Sequence, residues 1–132
     1  KANGAYTALV SGGFTAFSIP IGINLGFDEQ NANILVEENG VFTGKVAEPI
    51  LGKNEKVNQL NRLVKERGLM HSDVLAVGDG ANDLEMLEIA GIGVAMHAKP
   101  IVAEKCDIVI NHCDLSSLLY LQGYKKEDFV ST

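Results

Sequence analysis

The chain has 132 residues, 46% of them hydrophobic and 21% charged, which suits a single domain with a real core and leaves no room for a second large one. A net charge of −6 argues against a nucleic-acid backbone or an anionic membrane surface as partner, whereas a small phosphorylated metabolite stays open because a local metal and lysine can override the global sign. Two cysteines, Cys106 and Cys113, could not staple a fold of this size, and with no signal-peptide pattern or membrane-length apolar run the expectation is a cytoplasmic protein.

The sequence begins at Lys1 and enters an apolar run within a few residues, which reads as the inside of a longer protein. Residues 5–10 are predicted to form a strand ending at Ser11-Gly12-Gly13. Residues 14–25 follow as a helix whose pattern is loosened by Pro20 and Gly22. Residues 32–38 and 41–46 are two short extended runs around Asn39-Gly40, the strongest short-range hairpin signal. Asn54 can cap a helix running to Arg67, with Val57, Leu60 and Val64 as its buried stripe and Gly68 as its stop.

Residues 74–77 form a strand that leads into Gly78-Asp79-Gly80-Ala81-Asn82-Asp83 and then into an amphipathic helix with Leu84, Leu87 and Ala90 on one face. A strand at 92–96, a helix opened by Pro100, a strand at 107–110 and a helix from about Leu115 to Gln122 complete the order. Strands alternating with helices at these lengths predict an α/β fold: a Rossmann-like parallel sheet with helices on both faces, plus the small hairpin.

In such a sheet the carboxyl ends of strands and the amino ends of the following helices share one edge, where ligands bind. Ser11, Lys56 and Asp79 are therefore expected to meet there. A hydroxyl beside the N–H groups of a Gly-Gly turn, an ammonium and a metal-binding carboxylate together suit a phosphoryl group. Closely spaced acidic residues such as Asp79 and Asp83 repel one another unless a cation is bound, and Mg²⁺ held by one or two carboxylates is the usual remedy. On their own, Asp79-Gly80 also reads as a plain turn, and Asn82 or Asp83 as a helix cap. Lys56 reads also as a solvated helix lysine, with Lys53 as the competing candidate. His97, Cys106, His112 and Cys113 lack zinc-site spacing, and Lys125 to Asp128 reads as a solvated face.

Taken in order, Leu9-Val10-Ser11-Gly12-Gly13-Phe14, Lys56-Val-Asn-Gln-Leu60 and Gly78-Asp79-Gly80-Ala81-Asn82-Asp83 resemble the second, third and fourth motifs of the haloacid dehalogenase superfamily. The interval from Lys56 to Asp79 matches its phosphoserine phosphatase branch, and the likeness continues through Asn39-Gly40-Val-Phe-Thr-Gly44 and His97-Ala-Lys-Pro100. The resemblance implies Ser11 and Gly12 as ligands of the phosphate oxygens, and Lys56 as the cation that neutralises phosphate and nucleophile. It implies Asp79 as the Mg²⁺ ligand, Asn82 as a phosphate contact and Asp83 as a carboxylate that positions the lysine.

The branch's first motif, Asp-x-Asp-x-Thr/Ser, has no counterpart here; the only aspartate before Lys56 is Asp28. Residues 1–132 are accordingly expected to be the C-terminal part of a haloacid dehalogenase-like core. Its nucleophilic aspartate and cap would lie upstream, and the chain would be inactive alone. The activity implied is Mg²⁺-dependent hydrolysis of L-phosphoserine to L-serine and phosphate, the serine-releasing step of serine biosynthesis. A phosphatase or phosphotransferase for another small phosphorylated metabolite, or a non-catalytic phosphate-binding chain, are the alternatives.

Overall fold

Two ladders of parallel strands and one antiparallel hairpin organise the chain, as the alternation of apolar strands with helices requires. The computed structural model describes residues 1–130, apart from the side chain of Lys53, and the chain divides into two compact units, Lys1–His71 and Ser72–Thr132.

The first unit opens with β1 (Ala8–Phe14), α1 (Thr15–Leu25) and β2 (Glu29–Asn33). β1 and β2 pair in parallel from Ala8 opposite Glu29 to Val10 opposite Asn31, and the register then shifts before Phe14 opposite Asn33. The expected strand end at Ser11 is thus corrected: Ser11, Gly12 and Gly13 stay within β1 as its irregular stretch, where extra residues on one strand bend it and leave ladder positions unpaired. α1 approaches β2 through small residues. Ser18 and Gly22, one turn apart, are buried, and a Cβ on Gly22 would lie 2.1 Å from Cγ of Gln30. Its large residues Phe17, Ile19, Ile21, Ile23 and Leu25 are exposed, so this helix does not bury an apolar stripe in the usual way.

β2 escapes a periodicity reading because Glu29-Gln30-Asn31-Ala32-Asn33 has one apolar member. Pairing with β1 and side-chain hydrogen bonds hold it instead: Glu29 accepts from the Tyr6 hydroxyl and from Arg62, and Asn33 bonds to backbone. The hairpin forms around the expected turn from β3 (Leu35–Glu38) and β4 (Val41–Val46), but Ala32 and Asn33 of the predicted 32–38 run belong to β2 instead. Asn39 (φ 53°) and Gly40 (φ 78°) both adopt the left-handed backbone that a two-residue hairpin turn demands.

α2 (Lys53–Arg67) buries Leu60 and Val64, half-buries Val57, and stops at Gly68 in the left-handed region. Its N-cap is Gly52, not Asn54: the Gly52 carbonyl accepts from the N–H groups of Glu55 and Lys56, which places Asn54 inside the first turn.

In the second unit β5 (Leu75–Gly78), β6 (Ile92–Met96) and β7 (Ile108–Ile110) pair in parallel in that order. α3 (Leu84–Ile89) packs on β5 and β6, and Leu87 joins Ala76, Ala95 and Val102 in the core. The contact is close at Gly93, where a Cβ would lie 2.2 Å from the Leu87 carbonyl oxygen. α4 (Pro100–Ala103) starts at Pro100 as expected, and α5 (Ser117–Leu121) is shorter than its predicted span. Among the described residues no helix is long and apolar enough to cross a membrane.

Candidate functional site

Within the first unit, the bent part of β1 and the first turn of α2 carry three of the candidate residues. Ser11 is half-buried and Gly12 exposed. The Ser11 hydroxyl oxygen accepts the Gly13 N–H at 3.0 Å, an orientation that leaves its proton for an acceptor such as a phosphate oxygen. Lys56 is 8% exposed, although lysine is among the residues least often withdrawn from water. A lysine this buried is tolerated where hydrogen-bonding partners or anions replace the hydration its ammonium loses. The solvated-lysine alternative therefore does not describe Lys56, and the competing Lys53 side chain lies outside the described residues.

Asn33 is the residue of this unit that sequence reasoning missed. Its amide nitrogen donates to the Gly12 carbonyl at 2.9 Å and to the Leu51 carbonyl at 3.3 Å, while its oxygen accepts the Leu51 N–H at 2.6 Å. An Asn in a polar stretch carries no local signal of such a role.

Within the second unit, the turn after β5 holds the other three. Asp79 follows directly on the strand and is exposed, as is Asn82, while Asp83 is 3% exposed. Asp83 stands at the N-cap of α3 but makes no capping hydrogen bond. Its Oδ2 turns back and accepts the N–H groups of Asp79 at 3.2 Å and Gly80 at 3.1 Å, bonds strengthened by the carboxylate's charge. Gly78 makes room for this, since a Cβ there would lie 2.5 Å from the Asp83 Cβ. Asn82 Oδ1 folds against Gly80, 2.5 Å from where a Cβ would stand.

The same turn is tied from the other side. The Asp79 carbonyl accepts the Lys99 N–H at 3.0 Å, from the segment between β6 and α4. His97 in that segment has φ 46°, a left-handed conformation uncommon for a residue with a side chain. Its backbone N–H donates to the Ile110 carbonyl at 2.8 Å. Its Nε2 lies 2.8 Å from the Cys113 carbonyl, and because a carbonyl only accepts, that nitrogen carries a proton. Asp79 thus projects from a turn whose backbone is held at both its N–H and its C=O.

Asp79 offers a hard oxygen ligand, and among the described residues no group of three His, Cys, Asp or Glu side chains is arranged to hold a metal ion by itself. That donor chemistry fits Mg²⁺, which is bound through one or two carboxylates and keeps several waters, and it does not fit a dedicated multi-ligand cage.

Residues 44–120 match the model of the family described as haloacid dehalogenase-like hydrolase. The chain is 40% identical over 128 residues to a phosphoserine phosphatase of Streptomyces coelicolor, covering 97% of this chain and 31% of that protein. It is 42% identical over 119 residues to a phosphoserine phosphatase of Methanocaldococcus jannaschii, covering 90% of this chain and 56% of the relative. Its fold is similar to the crystal structure of a probable phosphoserine phosphatase from Vibrio cholerae in unliganded form, with a TM-score of 0.88 and 35% identity, covering 92% of this chain and 38% of the other. The chain therefore spans between about a third and somewhat over half the length of these relatives.

Proposed function

Because this chain belongs to the haloacid dehalogenase-like hydrolase family, we propose that it is the C-terminal part of a Mg²⁺-dependent phosphomonoester hydrolase, and specifically of a phosphoserine phosphatase that converts L-phosphoserine and water to L-serine and phosphate. The observation that carries this is the turn after β5. Its exposed carboxylate, Asp79, is presented by a backbone pinned through Asp83 and Lys99, the rigid mounting that a metal ligand at a strand end requires.

In this proposal Ser11 donates its hydroxyl proton and Gly12 its N–H to phosphate oxygens, and Asn82 adds an amide contact. Lys56 neutralises the charge of the phosphoryl group, and Asp83 keeps the Asp79 turn in place. Asp79 holds Mg²⁺, which when bound stabilises charge on the phosphoryl oxygens. In this proposal the carboxylate that accepts the phosphoryl group is an aspartate upstream of Lys1, since Ser11, Lys56 and Asp79 are each committed to binding phosphate or metal. The proposed enzyme acts in the cytoplasm on a small phosphorylated metabolite.

The test is phosphate release from L-phosphoserine by the full-length protein with and without Mg²⁺, beside Asp79→Asn. Magnesium-dependent turnover is expected, and the variant should need on the order of tenfold more Mg²⁺, because an amide is a poorer ligand than a carboxylate for a hard cation. Turnover of another phosphomonoester with phosphoserine refused would replace the substrate. An unchanged Mg²⁺ requirement in Asp79→Asn would remove Asp79 as the ligand.

A further inference from the structure

The irregular stretch of β1 poses a problem of backbone satisfaction. Between Val10 and Phe14 the register with β2 is lost, so the carbonyl of Gly12 cannot rely on the ladder that serves Ala8 to Val10. The segment before α2 is likewise irregular, with Leu51 and Gly52 outside any helix or strand. One side chain serves both. Asn33, 6% exposed at the end of β2, gives its amide nitrogen to the carbonyls of Gly12 and Leu51 and takes the Leu51 N–H on its oxygen. The two segments are also close: Leu51 O lies 3.9 Å from where a Cβ on Gly12 would stand.

We infer that Asn33 is a positioning residue for the phosphate end of the site, holding the Ser11–Gly12 stretch of β1 against the segment that opens α2 and thereby setting the spacing between those phosphate contacts and Lys56. The inference rests on the proposed function of Ser11, Gly12 and Lys56. The chemistry selects asparagine: an ionised aspartate could not donate to either carbonyl, and an apolar residue of equal size would leave all three backbone groups without this partner in a part-buried place. Among the described residues no other hydrogen bond joins Gly12 and Leu51 to a common partner, so their spacing depends on this amide.

The experiment compares wild-type full-length protein with Asn33→Asp and Asn33→Ser, measuring kcat and KM for phosphoserine and the competitive inhibition constant of inorganic phosphate. A change that only unfolds part of the protein lowers kcat per mole and leaves KM and the phosphate constant alone, because both are read on the molecules that bind. Misplacement of phosphate contacts should instead raise KM and the phosphate constant together, by about tenfold. In Asn33→Asp the defect should shrink as pH falls from about 8 to about 5.5, because a protonated carboxyl regains one donor and burial beside carbonyls favours protonation.

A second measurement needs no variant: saturating inorganic phosphate should slow exchange of the Leu51 amide in the wild type several-fold, by reciprocity between ligand and clamp. KM and phosphate constants within twofold of wild type in both variants, or Leu51 exchange indifferent to bound phosphate, would overturn the role of Asn33 alone. A wild-type protein that neither hydrolyses phosphoserine nor binds inorganic phosphate would overturn the proposed function and this role with it.

Discussion

Aspartates in this chain are used in three different ways, each set by its neighbours. Asp79 is exposed and, in the proposed function, is the metal ligand; Asp83 is buried and spends its carboxylate on two N–H groups of the same turn. Asp28 ties the start of the chain to β2, with its carboxyl lowered from 3.8 to about 2 by the hydrogen-bonded Lys1 ammonium and by the N–H of Thr7. A folded-state pKa below the unfolded one means that the contribution to stability is fully present above about pH 4 and is lost as the pH falls toward 2. Asp28→Asn should therefore lower the melting temperature of the protein at neutral pH, and the gap to wild type should close across that acid window. Paired thermal melts from about pH 6 to about pH 2 check this, and a gap that persists at the acid end would show that the ion pair is not its source.

Elements in both units depend on close backbone approach at small residues. Gly22 lets α1 lie on Gln30 of β2, and Gly93 lets α3 lie on β6. At Gly93 the atom that a Cβ would strike is the Leu87 carbonyl, which belongs to the helix backbone and cannot swing aside as a flexible side chain would. Gly93→Ala is expected to cost about 1–3 kcal/mol by overpacking. Chemical denaturation of the variant measures this; a loss below about 0.5 kcal/mol would mean that α3 shifts without penalty. Gly22→Ala should be milder, because the clash there is with the Gln30 side chain, which can move.

At the scale of the whole molecule, the described strands β1 and β5 are each hydrogen-bonded in a ladder on one side, to β2 and β6. The chain also spans only part of the length of its relatives. Phosphoryl transfer through a carboxylate needs that group in line with the leaving oxygen, and charge-stabilising groups alone do not supply it. The purified 132-residue chain, its mass confirmed, should consequently release no phosphate from phosphoserine with Mg²⁺, whereas the full-length protein is expected to. Turnover by the fragment at a rate comparable to full length would place a nucleophile among these residues and reassign their roles.

Features built from contiguous residues were legible in the sequence: the Asn39-Gly40 hairpin, the stop of α2 at Gly68, Pro100 at the start of α4, and a strand leading into the Asp79 turn and α3. Each is decided by backbone preferences over a few neighbours, so local pattern suffices. The candidates Ser11, Gly12, Lys56, Asp79, Asn82 and Asp83 were singled out as short motifs whose order resembles a known family, and their roles belong to the proposed function. Tertiary structure alone decided that Ser11 to Gly13 remain inside β1, that a polar pentapeptide becomes β2, that Asp83 faces its own turn instead of capping α3, and that His97 reaches Cys113. It also decided that Asn33 joins Gly12 to Leu51. These depend on partners brought close by folding, on the room left by a glycine or on the unmet hydrogen bonds of a distant segment, and no window of neighbouring residues contains that information.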